Sequence, residues 1–278
     1  MSGNGAMANI NVRVLLTLLA VGLAAGFLSG LFGIGGGTVI VPALVLVGLT
    51  QRQAAATSLA AIVPTSISGV LSYATGGDVD WIAAVLLACG MVVGSQIGSW
   101  LLSRLPELLL RWLYAVFLVF VIVSQLVFTP ARDTVLHLDV TMGALLALLG
   151  VGIGILSGLL GIGGGAVAVP SLSLLFGASD LIARGTSLLA MFPSAIAGTV
   201  ANWRRRLVYL KHGLIIGVTA AVVAPLGTLL AGAISPRMGA NLFAVYLAVL
   251  LVRCVWTALQ ITPGIGERLA QRHSGKQS

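Results

Sequence analysis

The sequence predicts an all-α integral membrane protein made of two homologous, inverted halves. Three observations lead to this prediction: a very apolar composition, long apolar segments, and a repeat that covers nearly the whole chain. Of the 278 residues, 58% are hydrophobic and only 8% are charged, whereas soluble domains carry about 25% charged residues. Such a chain needs the lipid bilayer as its solvent, and its apolar runs do not alternate as the strands of a barrel would. A bundle of membrane helices is the structure that fits.

The repeat is clearest in two glycine-rich stretches. Residues 26–42 read GFLSGLFGIGGGTVIVP and residues 154–170 read GILSGLLGIGGGAVAVP, with thirteen of seventeen positions identical. The offset is 128 here and 129 further on, where Thr57-Ser58-Leu59 matches Thr186-Ser187-Leu188. The predicted organisation is an N-terminal tail (1–11), a first repeat (12–128), a connector (129–138), a second repeat (139–261) and a C-terminal tail (262–278).

Each half contains five apolar segments, and the second of each half is short. A helix needs about 20 apolar residues to cross the hydrocarbon core, but this segment has only about a dozen, or roughly 18 Å of helix. We therefore expect broken or re-entrant helices at the glycine motifs. The predicted segments are 12–33, 38–49, 54–75, 81–103 and 108–128, then 139–161, 166–176, 185–203, 211–234 and 239–261.

The basic residues predict the orientation. If Arg204–Arg206 lie in the cytoplasm, as the positive-inside rule requires, twelve of the 15 Lys and Arg residues fall on that side, together with both termini. The loop with Asp78 and Asp80 then lies outside, although the equivalent loop with Arg204–Arg206 lies inside. We expect a multi-pass protein of the plasma membrane, with no sign of nucleic-acid binding and with a homodimer left possible. Inverted repeats with broken helices are typical of transporters whose substrate binds near the midplane.

The glycine clusters 33–37 and 161–165 are the first candidate site. Each precedes a short helix, and a helix N-terminus carries unpaired N–H groups and a positive dipole end that bind an oxyanion without side-chain charge. Two such ends, related by the repeat, would hold one anion between them. A tight turn needed only for packing is the alternative, and both interpretations stay open. The glycines spaced by four just upstream favour close helix packing: Gly22, Gly26 and Gly30, and Gly150, Gly154 and Gly158.

Hydroxyl side chains near these glycines and along the third segment of each half are further candidates, since Pro64 and Pro193 are expected to kink those segments. Such hydroxyls also bond their own helix carbonyls, which is the competing interpretation. Arg184 is a possible residue of the extracellular mouth or an interfacial anchor. The candidate substrate-binding residues are Ser29, Gly35, Gly36, Gly37, Thr38, Thr57, Ser58, Thr65, Ser157, Gly163, Gly164, Gly165, Thr186, Ser187 and Ser194.

The acidic and histidine residues argue against other functions. All seven carboxylates fall in or near predicted loops, and the three histidines are dispersed. Proton- and cation-coupled carriers often place a carboxylate within the membrane, and an enzyme needs clustered acid, base or nucleophile groups. We therefore expect no enzyme, no metal and no cofactor.

The doubled G-x-L-S-G-x-x-G-I-G-G-G-x-x-x-V-P element, each followed by T-S-L and a downstream proline, resembles the TauE/SafE family of membrane transporters over essentially the full chain. Gly77-Asp78-Val79-Asp80-Trp81 keeps a loop common in that family, and the second half departs from it. The resemblance implies a sulfur oxyanion such as sulfite or the organosulfonate sulfoacetate. Export of this anion is the leading hypothesis; ion-coupled uptake, or a non-transport accessory role, is the alternative.

Overall fold

The computed structural model describes residues 11–127 and 140–261. The predicted connector (129–138), the C-terminal tail (262–278) and the N-terminal tail up to residue 10 lie outside the described residues. Within the described ranges the chain forms ten α-helices and no strand. These are α1 (Val12–Phe32), α2 (Gly37–Leu46), α3 (Gln51–Thr75), α4 (Trp81–Arg104), α5 (Glu107–Val127), α6 (Val140–Leu160), α7 (Gly165–Phe176), α8 (Asp180–Arg204), α9 (Leu210–Ala233) and α10 (Pro236–Ile261).

Eight of these helices are long and apolar enough to cross a membrane. The other two, α2 and α7, have 10 and 12 residues, which makes them about 15–18 Å long and too short to span alone. Both begin at a glycine motif, as the sequence predicts. The all-α membrane fold class is thereby confirmed.

Two helix pairs link the halves through the glycines spaced by four. Helix α1 packs parallel to α9, and α4 packs parallel to α6, so the first helix of each half lies on the fourth helix of the other. A Cβ atom added at Gly154 would come within 2.7 Å of the Met91 Cα, and one at Gly158 within 2.9 Å of the Ser99 backbone nitrogen. Because only glycine permits this approach, the packing interpretation of these residues is confirmed.

The third helices of the two halves, α3 and α8, pack antiparallel at the centre. A Cβ atom at Gly69 would lie 2.8 Å from the Leu188 side chain, and one at Gly198 would lie 2.8 Å from the Leu59 side chain. These four residues form two equivalent pairs at the offset of 129, so the contact is two-fold symmetric. The placement of the halves relative to the two sides of a membrane stays a prediction.

One end of the bundle is basic. At this end the side chain of Arg52 donates to the carbonyl of Leu105, the residue that follows α4, and the N–H of Tyr209, which precedes α9, donates to Thr57. The start of α5 also meets the end of α10, where Arg111 reaches the Thr257 carbonyl. We call this the basic end; its residues are Arg13, Arg52, Arg104, Arg111, Arg204, Arg205, Arg206, Lys211 and Arg253.

The bounds of α8 correct the predicted segment 185–203, because the helix begins five residues earlier at Asp180. The Ser179 side chain accepts a hydrogen bond from the Ile182 N–H and so caps the helix. Helix α3 likewise begins at Gln51 rather than 54, where Thr50 and Gln53 form a capping box. In both helices the first turn contains polar residues. Its low hydropathy alone predicts a loop, whereas the capping residues show that the turn is helical.

Candidate functional site

The two glycine motifs form matched loops at which the short helices begin. In the first loop Gly33, Gly35 and Gly36 have φ of +70°, +73° and +77°. In the second loop the equivalent φ values are +71°, +82° and +93°. Glycine adopts this left-handed region without the steric penalty that a side chain brings. Gly36 and Gly164 are the residues that precede α2 and α7, and neither offers a side-chain cap.

The two loops cross each other in direct backbone contact. A Cβ atom added at Gly37 would lie 2.5 Å from the Gly161 carbonyl oxygen, and one added at Gly165 would lie 2.5 Å from the Gly33 carbonyl oxygen. The starts of α2 and α7 therefore meet at one place, which we call the glycine crossing (33–37 and 161–165). Most of the predicted glycine candidates thus come together, and their absent side chains are what allows the approach.

Two apolar side chains, one from each central helix, fill the space beside the crossing. Cβ atoms added at Gly35 and Gly163 would lie 3.2 and 3.0 Å from the Met191 sulfur, and those same positions would lie 3.2 and 2.9 Å from Ile62 side-chain carbons. Ile62 and Met191 are equivalent in the repeat, fully buried, and two residues before Pro64 and Pro193. Sequence reasoning missed both; their matched position before each proline was the available signal.

Met191 also forms a hydrogen bond, because its sulfur Sδ accepts from the Gly165 N–H at 3.2 Å. Gly165 is the first residue of α7, so this N–H is one of those that a helix leaves without an intrahelical partner. A thioether is a weak acceptor, and Ile62 on the other side has no acceptor at all. In this conformation the Met191 side chain occupies the space at the start of α7.

Ser29 and Ser157 are equivalent hydroxyls that have no hydrogen-bond partner although each residue is 1% exposed. Ser157 lies beside the crossing, because a Cβ atom at Gly164 would be 3.6 Å from the Ser157 Cβ. Buried polar groups are nearly always paired. Two unpartnered hydroxyls at matched positions, each four residues before its glycine loop, therefore leave donors and acceptors free inside the protein.

The Thr-Ser pairs of the third helices are engaged with the opposite half. Ser187 donates to the Gly33 carbonyl at 2.9 Å, and its equivalent Ser58 donates to the Gly161 carbonyl. Thr186 accepts from the Asp80 N–H and Thr57 accepts from the Tyr209 N–H, both at 3.0 Å. These four predicted candidates bind backbone groups, and so hold the loops of one half against the helices of the other.

The remaining predicted hydroxyls are also bonded within the protein. The Thr38 hydroxyl accepts from Tyr246 at 3.3 Å, and the Thr38 carbonyl accepts from Tyr114 at 3.1 Å. Thr65 donates to the Ala61 carbonyl of its own helix at 2.8 Å, and Ser194 donates to the Met91 carbonyl of α4 at 3.2 Å. Thr38 stands at the start of α2, one residue after the crossing.

Arg184 does not stand at an open mouth or at a lipid interface, which corrects its predicted position. It is 5% exposed, pairs with the 1% exposed Asp180 at 3.4 Å, and donates to the Leu31 carbonyl at 2.7 Å. The ion pair becomes possible because α8 starts at Asp180, so the two residues lie one helical turn apart. Within residues 11–127 and 140–261 no three His, Cys, Asp or Glu side chains converge to hold a metal.

Comparison with known proteins identifies the family. The family model "Sulfite exporter TauE/SafE" matches residues 18–254. A probable membrane transporter protein of Haemophilus influenzae is 29% identical over 225 residues, covering 74% of this chain and 84% of that protein. The probable membrane transporter protein YunE of Bacillus subtilis is 26% identical over 220 residues, covering 66% and 77%. No solved structure matches significantly. The chain therefore belongs to the TauE/SafE family and is a multi-pass membrane transporter.

Proposed function

We propose that this transporter exports a small sulfur-containing anion, such as sulfite or sulfoacetate, through a site at the glycine crossing. The observation that carries the proposal is the meeting of two helix starts next to two buried hydroxyls without partners. Backbone N–H groups and helix dipoles bind oxyanions well. Arg184 packs against Gly33, but its guanidinium is already bound to Asp180 and to the Leu31 carbonyl. The anion therefore binds through N–H and hydroxyl donors, without an ion pair that would hold it too tightly for release.

The carboxylates of the described residues support an anionic substrate. Asp80 caps α4, Glu107 begins α5, and Asp180 is paired with Arg184. Glu107 and Asp180 are each paired with an arginine, Arg111 and Arg184, so these two carboxylates add little net negative charge that would repel an anion. Sulfite and sulfonates each present three oxygens to the N–H and hydroxyl donors, and the family name points to the same chemistry.

Transport requires the crossing to open, since Ile62 and Met191 fill it. We expect α3 and α8 to bend in the middle. Two residues after Ile62 and Met191, Pro64 and Pro193 each remove one backbone hydrogen bond from their helix. An entering anion then replaces the Met191 sulfur as the acceptor at Gly165. If the halves are inverted in the plasma membrane, with the basic end in the cytoplasm, the crossing opens first to one side of the membrane and then to the other.

Direction follows from the membrane potential. When an anion leaves a cell whose interior is negative, its free energy falls by about 2.3 kcal/mol per charge for each 100 mV of membrane potential. Export therefore needs no coupled ion, whereas concentrative uptake needs one.

The test is efflux of radiolabelled sulfite, sulfoacetate, taurine and sulfate from proteoliposomes under an imposed potential of either sign. We expect efflux of one sulfur anion that is faster when the inside is negative, with protein-free liposomes as the control. Uptake that needs a sodium or proton gradient would favour the coupled alternative. Absence of flux for every anion at both potentials would overturn the proposed substrate class.

A further inference from the structure

We propose that Arg111 and Arg253 form a second oxyanion site, at the basic end, where the exported anion docks before it reaches the glycine crossing. This inference rests on the proposed function for the identity of its ligand. The site is a pocket between the C-terminal part of α2, the start of α5 and the end of α10. Its polar lining is Gln51, Arg111, Tyr114, Arg253, Cys254 and Thr257.

Arg111 is fixed in the pocket wall by two of its five N–H donors. Its Nη2 binds the Glu107 carboxylate at 2.9 Å, and its Nη1 reaches the Thr257 carbonyl at 3.4 Å. The Nε is buried and has no hydrogen-bond partner. Because two other groups hold the guanidinium in place, its Nε–H is a preorganised donor. Arginine stays protonated, so a buried Nε–H without an acceptor keeps its full desolvation cost.

Arg253 supplies a cation that no carboxylate neutralises among the described residues. Two ion pairs among those residues are Arg111 with Glu107 and Arg184 with Asp180, and neither includes Arg253. The pocket lining therefore contains two guanidinium groups, the exposed Arg253 and the largely buried Arg111, and Arg111 is paired with Glu107. The Thr257 hydroxyl donates to the Arg253 carbonyl, which fixes the last turns of α10 beside the pocket. The resulting positive charge suits a compact oxyanion.

The pocket is connected to the glycine crossing by helix α2. Val41, Pro42, Val45 and Leu46 of α2 form its apolar wall. Tyr114, which also lines it, donates its hydroxyl hydrogen to the carbonyl of Thr38 at 3.1 Å. Thr38 is the second residue of α2, so the pocket and the crossing lie at opposite ends of one helix of about 15 Å. An anion held at Arg253 is thus one short helix away from the proposed transport site.

The site exists at one end only. At the repeat offset of 129, Arg111 corresponds to Ala240 and Arg253 corresponds to Ser124. The opposite end therefore has neither arginine at these positions; it carries Arg237 at the start of α10 and the closed Asp180–Arg184 pair. Capture of an anion from the basic end alone raises its local concentration on the side from which export starts.

Cys254 provides a direct test, because it lines the pocket and the other cysteine, Cys89, lies in α4. In the Cys89→Ser variant, we expect sulfoacetate to slow the reaction of Cys254 with N-ethylmaleimide. Adding Arg253→Gln should abolish this protection. Arg104→Gln is the matched control, since Arg104 lies at the same end, where it stacks on Trp100 at 5.1 Å, and we expect it to keep the protection. Equal protection with and without Arg253 would overturn the site.

Transport gives the second readout. Arg253→Gln should raise the KM for anion supplied at the basic end about tenfold, as expected for one lost charge-assisted hydrogen bond, with the maximal rate within about twofold. Protection of Cys254 needs no transport, so its presence without any flux would contradict the proposed function and leave this site standing.

A lipid headgroup has the same oxyanion chemistry, and the labelling experiment in phosphatidylcholine vesicles with and without phosphatidylglycerol separates the two sources. We expect sulfoacetate to protect Cys254 in phosphatidylcholine alone. Protection by phosphatidylglycerol but not by sulfoacetate would make the pocket a lipid site and would overturn the docking site.

Discussion

The Met191 sulfur and the Gly165 N–H are 3.2 Å apart and form a hydrogen bond at the start of α7. This bond closes the proposed anion site with an acceptor that belongs to the protein. Since a thioether accepts weakly, a sulfur oxyanion is the stronger partner for the same N–H. The bond therefore defines a competition between a closed state and an anion-bound state.

Met191→Leu keeps the apolar volume and removes the acceptor. The closed state then leaves the Gly165 N–H unpaired, at a cost of about 1 kcal/mol, and the anion no longer competes with sulfur. We expect the KM for the exported anion to fall about fivefold, as measured by efflux from proteoliposomes. Met238→Leu, at an exposed methionine of α10, is the control. An unchanged KM for Met191→Leu would mean that the sulfur does not compete with the anion.

Ser187→Ala should destabilise the protein, whereas Ser29→Ala should not. The Ser187 hydroxyl binds the Gly33 carbonyl across the two halves, and its loss costs roughly 1–3 kcal/mol because a buried acceptor is left unpaired. The Ser29 hydroxyl has no partner to lose. The apparent Tm in detergent, followed by size-exclusion chromatography after heating, separates the two. Equal losses in both variants would refute the assignment of Ser187 as bonded and Ser29 as free.

Gly165→Ala should prevent correct folding or strongly lower the Tm, because the added Cβ atom would lie 2.5 Å from the Gly33 carbonyl oxygen. Gly37→Ala makes the equivalent clash with Gly161 and should behave alike. Gly152→Ala is the matched control, since a Cβ atom there meets nothing within 4 Å and alanine favours a helix. We expect that control to match or exceed the wild-type Tm. Wild-type stability in Gly165→Ala would disprove the close crossing.

The Asp180–Arg184 pair should prove structural. Removing Arg184 alone breaks its ion pair with the buried Asp180 carboxylate, at a cost of about 3–5 kcal/mol. The double change Asp180→Gln and Arg184→Ala copies Gln51 and Ala55, the equivalent residues of the first half. We expect it to be more stable than Arg184→Ala and to transport within about twofold of the wild type. Loss of transport with normal stability in the double variant would instead show that Arg184 contributes to the anion pathway.

The sequence predicted most of the fold, because the repeat and the apolar segments depend on local composition. The start of α7 at Gly165 differs by one residue from the predicted segment, and α2 starts at Gly37 against a predicted 38. The start of α8 was missed by five residues, since Asp180 is polar and only the cap by Ser179 shows that it is helical.

The candidate site was predicted less completely, and the reason is sequence distance. Ser187 meets Gly33 across 154 positions, so the sequence alone does not distinguish it from Ser29, which has no partner. Met191 and Ile62 are apolar residues in apolar helices, and no periodic pattern separates the side chain that faces the glycines from one that faces lipid. The Arg111–Arg253 pocket likewise depends on the meeting of α5 with α10, which follows from the fold alone.

The most direct test of the central claim, that the anion binds at the glycine crossing, is potential-driven efflux by Ser29→Ala/Ser157→Ala. These hydroxyls have no partners within the described structure, so their removal should leave the Tm unchanged while the anion loses two hydrogen bonds. We expect the KM to rise about tenfold or more, and Ser95→Ala, which removes a hydroxyl bonded within α4, to transport normally. A double variant with the wild-type KM and rate would contradict the account and place the anion elsewhere.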